Sequence, residues 1–134
     1  MREDVFKISK DEARARALVC LARDRFEFVK SMSHKRAYKI VEECYEIIKE
    51  LLTALMYLDG FKTLSHLALL EYFSNNYNVL DKKQLKLIDK LRKFRNSIVY
   101  YGEQVKQEFL VNYMEEIEGI IKALFDLVEE RIHD

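Results

Sequence analysis

Three observations predict an all-α fold, an antiparallel up-and-down four-helix bundle with one added short helix. The 134 residues contain no proline and only three glycines, which removes most of the side chains that break helices or build tight turns. Leu, Ile, Lys, Glu and Ala are abundant, and these residues lose little rotamer freedom in a helix. Apolar residues also recur at three- and four-residue spacings over long segments, with turn signals between them. The length suits one ordinary domain, so residues 1–134 are read as a single helical domain without internal repeat or linker.

The first helix is predicted to begin after Ser9, whose hydroxyl caps free amides while Glu12 completes a capping box. It should run to about Ser31 or Met32, with Ala13, Ala17, Leu18, Leu21, Phe28 and Val29 inward. Arg14, Arg16, Arg23 and Arg25 are interspersed with Glu12, Asp24 and Glu27, a pattern of ion pairing rather than of an RNA-facing side. A second helix is predicted from near Ser33 to Asp59, with Gly60 as its left-handed C-cap. One apolar stripe on it comprises Tyr38, Val41, Tyr45, Ile48, Leu52 and Leu55; another comprises Ile40, Cys44, Ile47, Leu51, Ala54 and Leu58. A helix apolar over so wide an arc touches more than one neighbour and belongs at the centre. Phe61-Lys62-Thr63 reads as a connector to a short helix from about Leu64 to Asn75, and Asn75-Asn76-Tyr77-Asn78 as a turn. The fourth helix should start at an Asp81 N-cap and end at Tyr101, before Gly102. The last covers about Gln104 to Ile132, with Ile117, Ile120, Ile121, Leu124, Leu127 and Val128 inward.

Composition narrows the function classes. Basic and acidic residues balance at 23 each, so only a local patch would attract nucleic acid. Charged residues reach 34%, above the usual figure of about 25%. Cys20 and Cys44 form no CxxC unit and read as buried free thiols in a reducing compartment. No signal peptide and no apolar run near the roughly 18 residues of a membrane span are evident, so a cytoplasmic protein without membrane contact is expected. Three scattered histidines do not make a zinc site. Glu42, Glu43, Glu46 and Glu50 have helical spacing but lack a Glu-x-x-His partner, so they read as a solvated face. Neither metal nor cofactor is expected.

The informative segment is Leu91-Arg92-Lys93-Phe94-Arg95-Asn96-Ser97-Ile98-Val99-Tyr100-Tyr101-Gly102. Leu87, Leu91, Phe94, Ile98 and Tyr101 share one face and read as core, with Arg95 at its shoulder. Leu85, Ile88 and Val99 lie further round, among Arg92, Asn96 and Tyr100. Three aliphatics on that side do not suit a plain solvated face. A second contact surface suits them better, most simply a homodimer interface through Ile88 and Val99 with a polar cleft along it.

With these residues in view, the sequence resembles the HEPN family of helical bundles. The resemblance covers nearly the whole chain. It rests on Tyr57-Leu58-Asp59-Gly60-Phe61-Lys62-Thr63, then Ser65-His66 and Leu69-Leu70-Glu71-Tyr72-Phe73, then the Arg95-Asn96 pair that is the family's hallmark. Many members are metal-independent ribonucleases in which two protomers bring Arg-x(4–6)-His motifs into one cleft, histidine acting as acid and base and arginine stabilising the phosphorane. Many prokaryotic members are toxins paired with a minimal nucleotidyltransferase antitoxin; others bind ligands or serve as scaffolds. The present chain has Tyr100 where the motif places histidine, and a phenol with an ordinary pKa near 10 is a poor general base at neutrality.

The resemblance therefore implies a homodimer working with a nucleotidyltransferase, binding partner, nucleotide or RNA near Arg95, with Arg92, Asn96 and His66 as further binding candidates. Two other readings stay open: an active ribonuclease using Arg95 with Tyr100 or His66, and a non-catalytic helical adaptor. His66 also has a plain reading, as a hydrogen-bonding residue at the start of the short helix beside Ser65.

Overall fold

A computed structural model describes residues 4–133. Their elements run β1 (Val5–Lys7), α1 (Glu12–Lys30), a 3-10 turn (His34–Arg36), α2 (Ala37–Asp59), β2 (Phe61–Thr63), α3 (His66–Asn76), α4 (Lys82–Tyr101) and α5 (Gln107–His133). The class is all-α, with one small antiparallel ladder in which Val5 pairs with Thr63 and Lys7 with Phe61.

The central helix is α2, which packs against α1, α3, α4 and α5. Both of its apolar stripes are used: Val41, Ile48 and Leu55 are buried from the first, and Cys44, Ile47 and Leu51 from the second. Burying each aliphatic side chain of this size contributes about 1.5–3 kcal/mol, so the helix with two such stripes organises the core. Burial also pushes the Cys44 thiol up to about 12, which leaves it a packing group. Only Tyr38, in the first turn, stands 42% exposed.

Several expectations for α1 need correction. Asp11, not Ser9, is the N-cap, its carboxylate accepting from the Arg14 amide at 2.9 Å. The reason lies in the ladder: Ile8 donates its amide to the Gly60 carbonyl at 2.9 Å and Asp11 to that of Tyr57 at 3.0 Å. Ile8 and Asp11 are thus tied to the end of α2, and the helix cannot begin before Asp11. The buried face is also rotated from the expected one. Ala15, Val19, Ala22, Phe26 and Val29 are inward, whereas Leu21 and Phe28 are exposed. Small residues at heptad spacing let α1 lie close against α2, and closeness outweighs the bulk of the other side chains. Cys20 is exposed as well, against the expectation of two buried thiols.

Gly60 caps α2 at φ 88°, and a Cβ there would meet the Ile8 carbonyl at 3.1 Å, so both backbone and neighbour require glycine. Beside it, Asp59 gathers three elements. The hydroxyls of Tyr72 and Tyr77 each donate to Oδ2 at 2.7 Å, and Arg131 donates to Oδ1 at 2.6 Å. That carboxylate fixes α3 and the end of α5 to the end of α2.

Asp81 and Gln84 form a reciprocal capping box at the start of α4, and Gly102 ends it at φ 65°. The Gly102 and Glu103 amides donate back to Ile98 and Ser97 at 3.0 and 3.3 Å, which closes the last turn. Leu87 and Leu91 are core, Phe94 and Ile98 half-buried, but Tyr101 is 80% exposed. The core reading of Tyr101 fails because residues 99–104 are all exposed: the last turn of α4 reaches past its neighbours. Ile88 is likewise corrected. It is buried at 2% and shares a cleft with Tyr45, Leu69 and Leu70, so α3 covers it and it is not available to a second protomer. Leu85 also lies beside α3, with Leu67 and Leu70. Of the three aliphatics that suggested an outer interface, Val99 alone is left exposed, at 51%.

Candidate functional site

The polar edge of α2 faces α1 on one side and α4 on the other, and each side receives an arginine. Facing α1, Glu43 and Glu50 are buried rather than solvated as their spacing suggested. Arg25 donates to Glu43 at 3.0 Å and to Glu50 at 2.9 Å, and Lys39 adds a 3.2 Å pair to Glu43. Desolvation raises the Glu50 carboxyl above its ordinary value even against Arg25, and Glu50 Oε1 has no hydrogen-bond partner.

Facing α4, the balance is reversed. Glu46 is already held by Lys49, Nζ to Oε2 at 2.7 Å, and Arg95 reaches its other oxygen only at 3.8 Å. The second guanidinium contact of Arg95 is a long 3.4 Å hydrogen bond to the Asn96 side-chain oxygen. One turn earlier Arg92 donates to Asp89 at 2.9 Å, while Lys93 takes the other oxygen of that carboxylate at 3.3 Å. Burial works against the Asp89 charge, yet Arg92 and Lys93 hold its pKa below the usual range. Four cations thus share two carboxylates, Glu46 and Asp89, in a strip along α2 and α4 that is mostly buried, with Lys93 exposed at its edge.

His66 enters this strip from the first position of α3. Ser65 caps that helix, accepting from Ala68 at 3.1 Å, and the ring Nδ1 lies 3.1 Å from the Tyr45 hydroxyl. Burial first, and then the charges of Lys49 and Arg95, lower the His66 pKa, which favours the neutral ring. Burial likewise pushes the Tyr45 phenol up to about 12, which keeps it protonated. The result is a neutral imidazole beside arginines with unused donors. Guanidinium forks match phosphate oxygens bidentately, and the net positive charge favours an anion there.

Among the sequence-predicted residues, Arg92, Arg95, Asn96 and His66 meet in this strip. Tyr100 is 70% exposed on the last turn of α4, five residues past Arg95 and so well round the helix from it. Sequence reasoning missed Tyr45, Glu46 and Lys49. Their signal was a Lys-Glu pair set among the apolar stripes of the most buried helix, where charges need a reason. Among the described residues no cluster of His, Cys, Asp and Glu has the arrangement of a metal site, and no helix is long and apolar enough to cross a membrane. Comparison with protein-family models, curated proteins and solved structures finds no match to the chain.

Proposed function

We propose that this chain is a HEPN-like homodimeric protein of a nucleotidyltransferase-linked toxin–antitoxin or defence system, and that it binds the phosphate of a nucleotide or RNA at Arg92 and Arg95. The observation that carries the binding reading is the unused positive charge of Arg95, whose nearest carboxylate is 3.8 Å away and already paired with Lys49. The system assignment rests on the family resemblance around Arg95-Asn96. Binding of a labelled single-stranded RNA tests the first part. Affinity should fall as salt rises and should drop at least tenfold, about 1.4 kcal/mol, in Arg95→Ala. An unchanged affinity in that variant refutes the site. Growth arrest on expression, relieved by a co-expressed minimal nucleotidyltransferase, tests the second part.

A second reading, metal-independent RNA cleavage, is favoured by one specific feature: His66 is neutral and feels the charge of Arg95. A ring in that state is suited to proton transfer near neutrality, whereas Tyr100 lies away on the exposed last turn. Incubating the protein with a pool of RNAs, with and without EDTA, separates the possibilities. Cleavage that survives EDTA and disappears in both Arg95→Ala and His66→Ala supports His66; loss in Tyr100→Phe instead points back to the motif position.

The dimer belongs to the same proposal, now resting on Val99 rather than on Ile88. Val99→Asp should convert a dimer to a monomer in light scattering, because assembly would bury an unpaired charge. A wild-type monomer at micromolar concentration removes the shared cleft.

A further inference from the structure

We propose that the cavity between the first turn of α2 and the C-terminal cap of α4 is a nucleobase site, placed to hold the base of a nucleotide whose phosphate lies on Arg95. This rests on the phosphate reading of Arg95 and adds the group that the rest of the ligand touches. The cavity measures about 510 Å³ and is lined by Lys35, Tyr38, Ile98, Glu103, Gln104 and Val105, among others. A volume of several hundred cubic ångströms with mixed walls is the usual scale of a small-ligand site.

Its position follows from how α2 and α4 run past each other. Tyr38 and Ile98 line the cavity together, Glu46 approaches Arg95, and Leu52 and Ile88 share the cleft beyond. As the number rises on α2 it falls on α4, so the two helices are antiparallel and the cavity and Arg95 lie along one seam between them. Along α4, Ile98 is three residues past Arg95, roughly 4.5 Å of axial rise and one helical turn. Along α2, Tyr38, Glu42 and Glu46 follow one another at four-residue spacing and share that side. The cavity therefore lies about one helical turn from Arg95 along the same α2–α4 seam.

The wall chemistry suits a base better than a second phosphate. Tyr38 offers a half-exposed ring for stacking, and Ile98 and Val105 give apolar edges. Gln104 can donate and accept, and Glu103 accepts from ring or exocyclic N–H groups. Lys35 and Glu103 offset each other in the cavity wall, whereas beyond it Lys49, Arg92, Lys93 and Arg95 outnumber Glu46 and Asp89. That difference in net charge orients a nucleotide with its phosphate toward Arg95 and its base toward Gln104. Gly102 completes the wall: its left-handed cap turns the chain back, and a Cβ there would meet nothing within 4 Å, so the space beside it is open.

Calorimetric titration of the full chain with inorganic phosphate, ribose 5-phosphate and the four 5′-mononucleotides tests the assignment. At least one mononucleotide should bind tenfold or more tightly than ribose 5-phosphate. Tyr38→Ala should bring that nucleotide down to the ribose 5-phosphate level with phosphate binding unchanged, and Tyr38→Phe should restore it. Gln104→Ala, on an exposed loop, should weaken the nucleotide severalfold with no change in thermal unfolding. Equal binding of nucleotides and ribose 5-phosphate, with Arg95-dependent phosphate binding intact, overturns the base site alone. Absence of any phosphate binding by the wild-type protein overturns the Arg95 reading and this one with it.

Discussion

Arg25 and Arg95 approach the same helix, α2, from opposite sides, and their surroundings differ in one decisive respect. Arg25 meets two buried carboxylates at hydrogen-bonding distance, so its charge is consumed in joining α1 to α2. Arg95 meets one carboxylate at 3.8 Å that Lys49 already holds, so most of its donors are unclaimed. The two guanidiniums are similarly buried, so the difference lies in their partners: stripping Arg25 from Glu43 and Glu50, 11% and 7% exposed, leaves buried carboxylates without compensation, whereas a 3.8 Å pair to a carboxylate that Lys49 already holds contributes little. Two arginines that look alike in the sequence thus divide into a structural one and one available for a ligand.

The largest expected effect is on Arg25. Arg25→Ala should lose about 3 kcal/mol of stability in urea unfolding, toward the lower end for a broken buried pair, since it strands Glu50. A loss under about 1 kcal/mol would mean the two clusters do not differ as described. Next comes pH. The His66 pKa is lowered in the folded chain, so the unfolded state binds the extra proton. His66 therefore contributes stability above its unfolded pKa, near 6.5, that is lost as pH falls through that value toward the folded pKa. Urea midpoints measured from pH 7.5 to 5 should decline, and His66→Gln should flatten part of that decline. A smaller effect is expected at Glu46, whose carboxylate opposes an incoming anion. Glu46→Gln should tighten phosphate binding by roughly threefold, the scale of one loose charge pair. The smallest effect is on the stability of Arg95→Ala, a loss of about 1 kcal/mol or less that comes from the packing of its stem rather than from its loose ion pair; a loss matching that of Arg25→Ala would make Arg95 structural too.

Much of the helical architecture was legible because it depends on local chemistry. Gly60 and Gly102, at the two left-handed caps, and Asp81, at the capping box, each announce a boundary through their own backbone or side-chain preference. What was not legible depends on partners distant in sequence. Asp11 displaces Ser9 as the cap only because Tyr57 and Gly60 take the preceding backbone. The buried face of α1 is chosen by closeness to α2, which a count of apolar bulk does not register. Ile88 is buried because α3 lies over it, and nothing in the spacing of α4 reveals where α3 packs. At the candidate site, Arg92, Arg95, Asn96 and His66 were visible as residues, but their excess over carboxylate was not. That excess depends on Lys49 occupying Glu46 and Lys93 sharing Asp89.

The most direct test of that excess is an NMR titration of the histidine rings with sulfate, an anion whose own charge does not change between pH 5.5 and 8. His34 and His133 lie on exposed positions outside the strip and serve as internal references. If the strip between α2 and α4 takes an anion, the His66 resonances shift saturably and its pKa rises on binding, and both responses vanish in Arg95→Ala. If His66 moves no more than His34 and His133, or responds equally in the variant, the charge at Arg95 is not available to a ligand and the distinction between the two arginines fails.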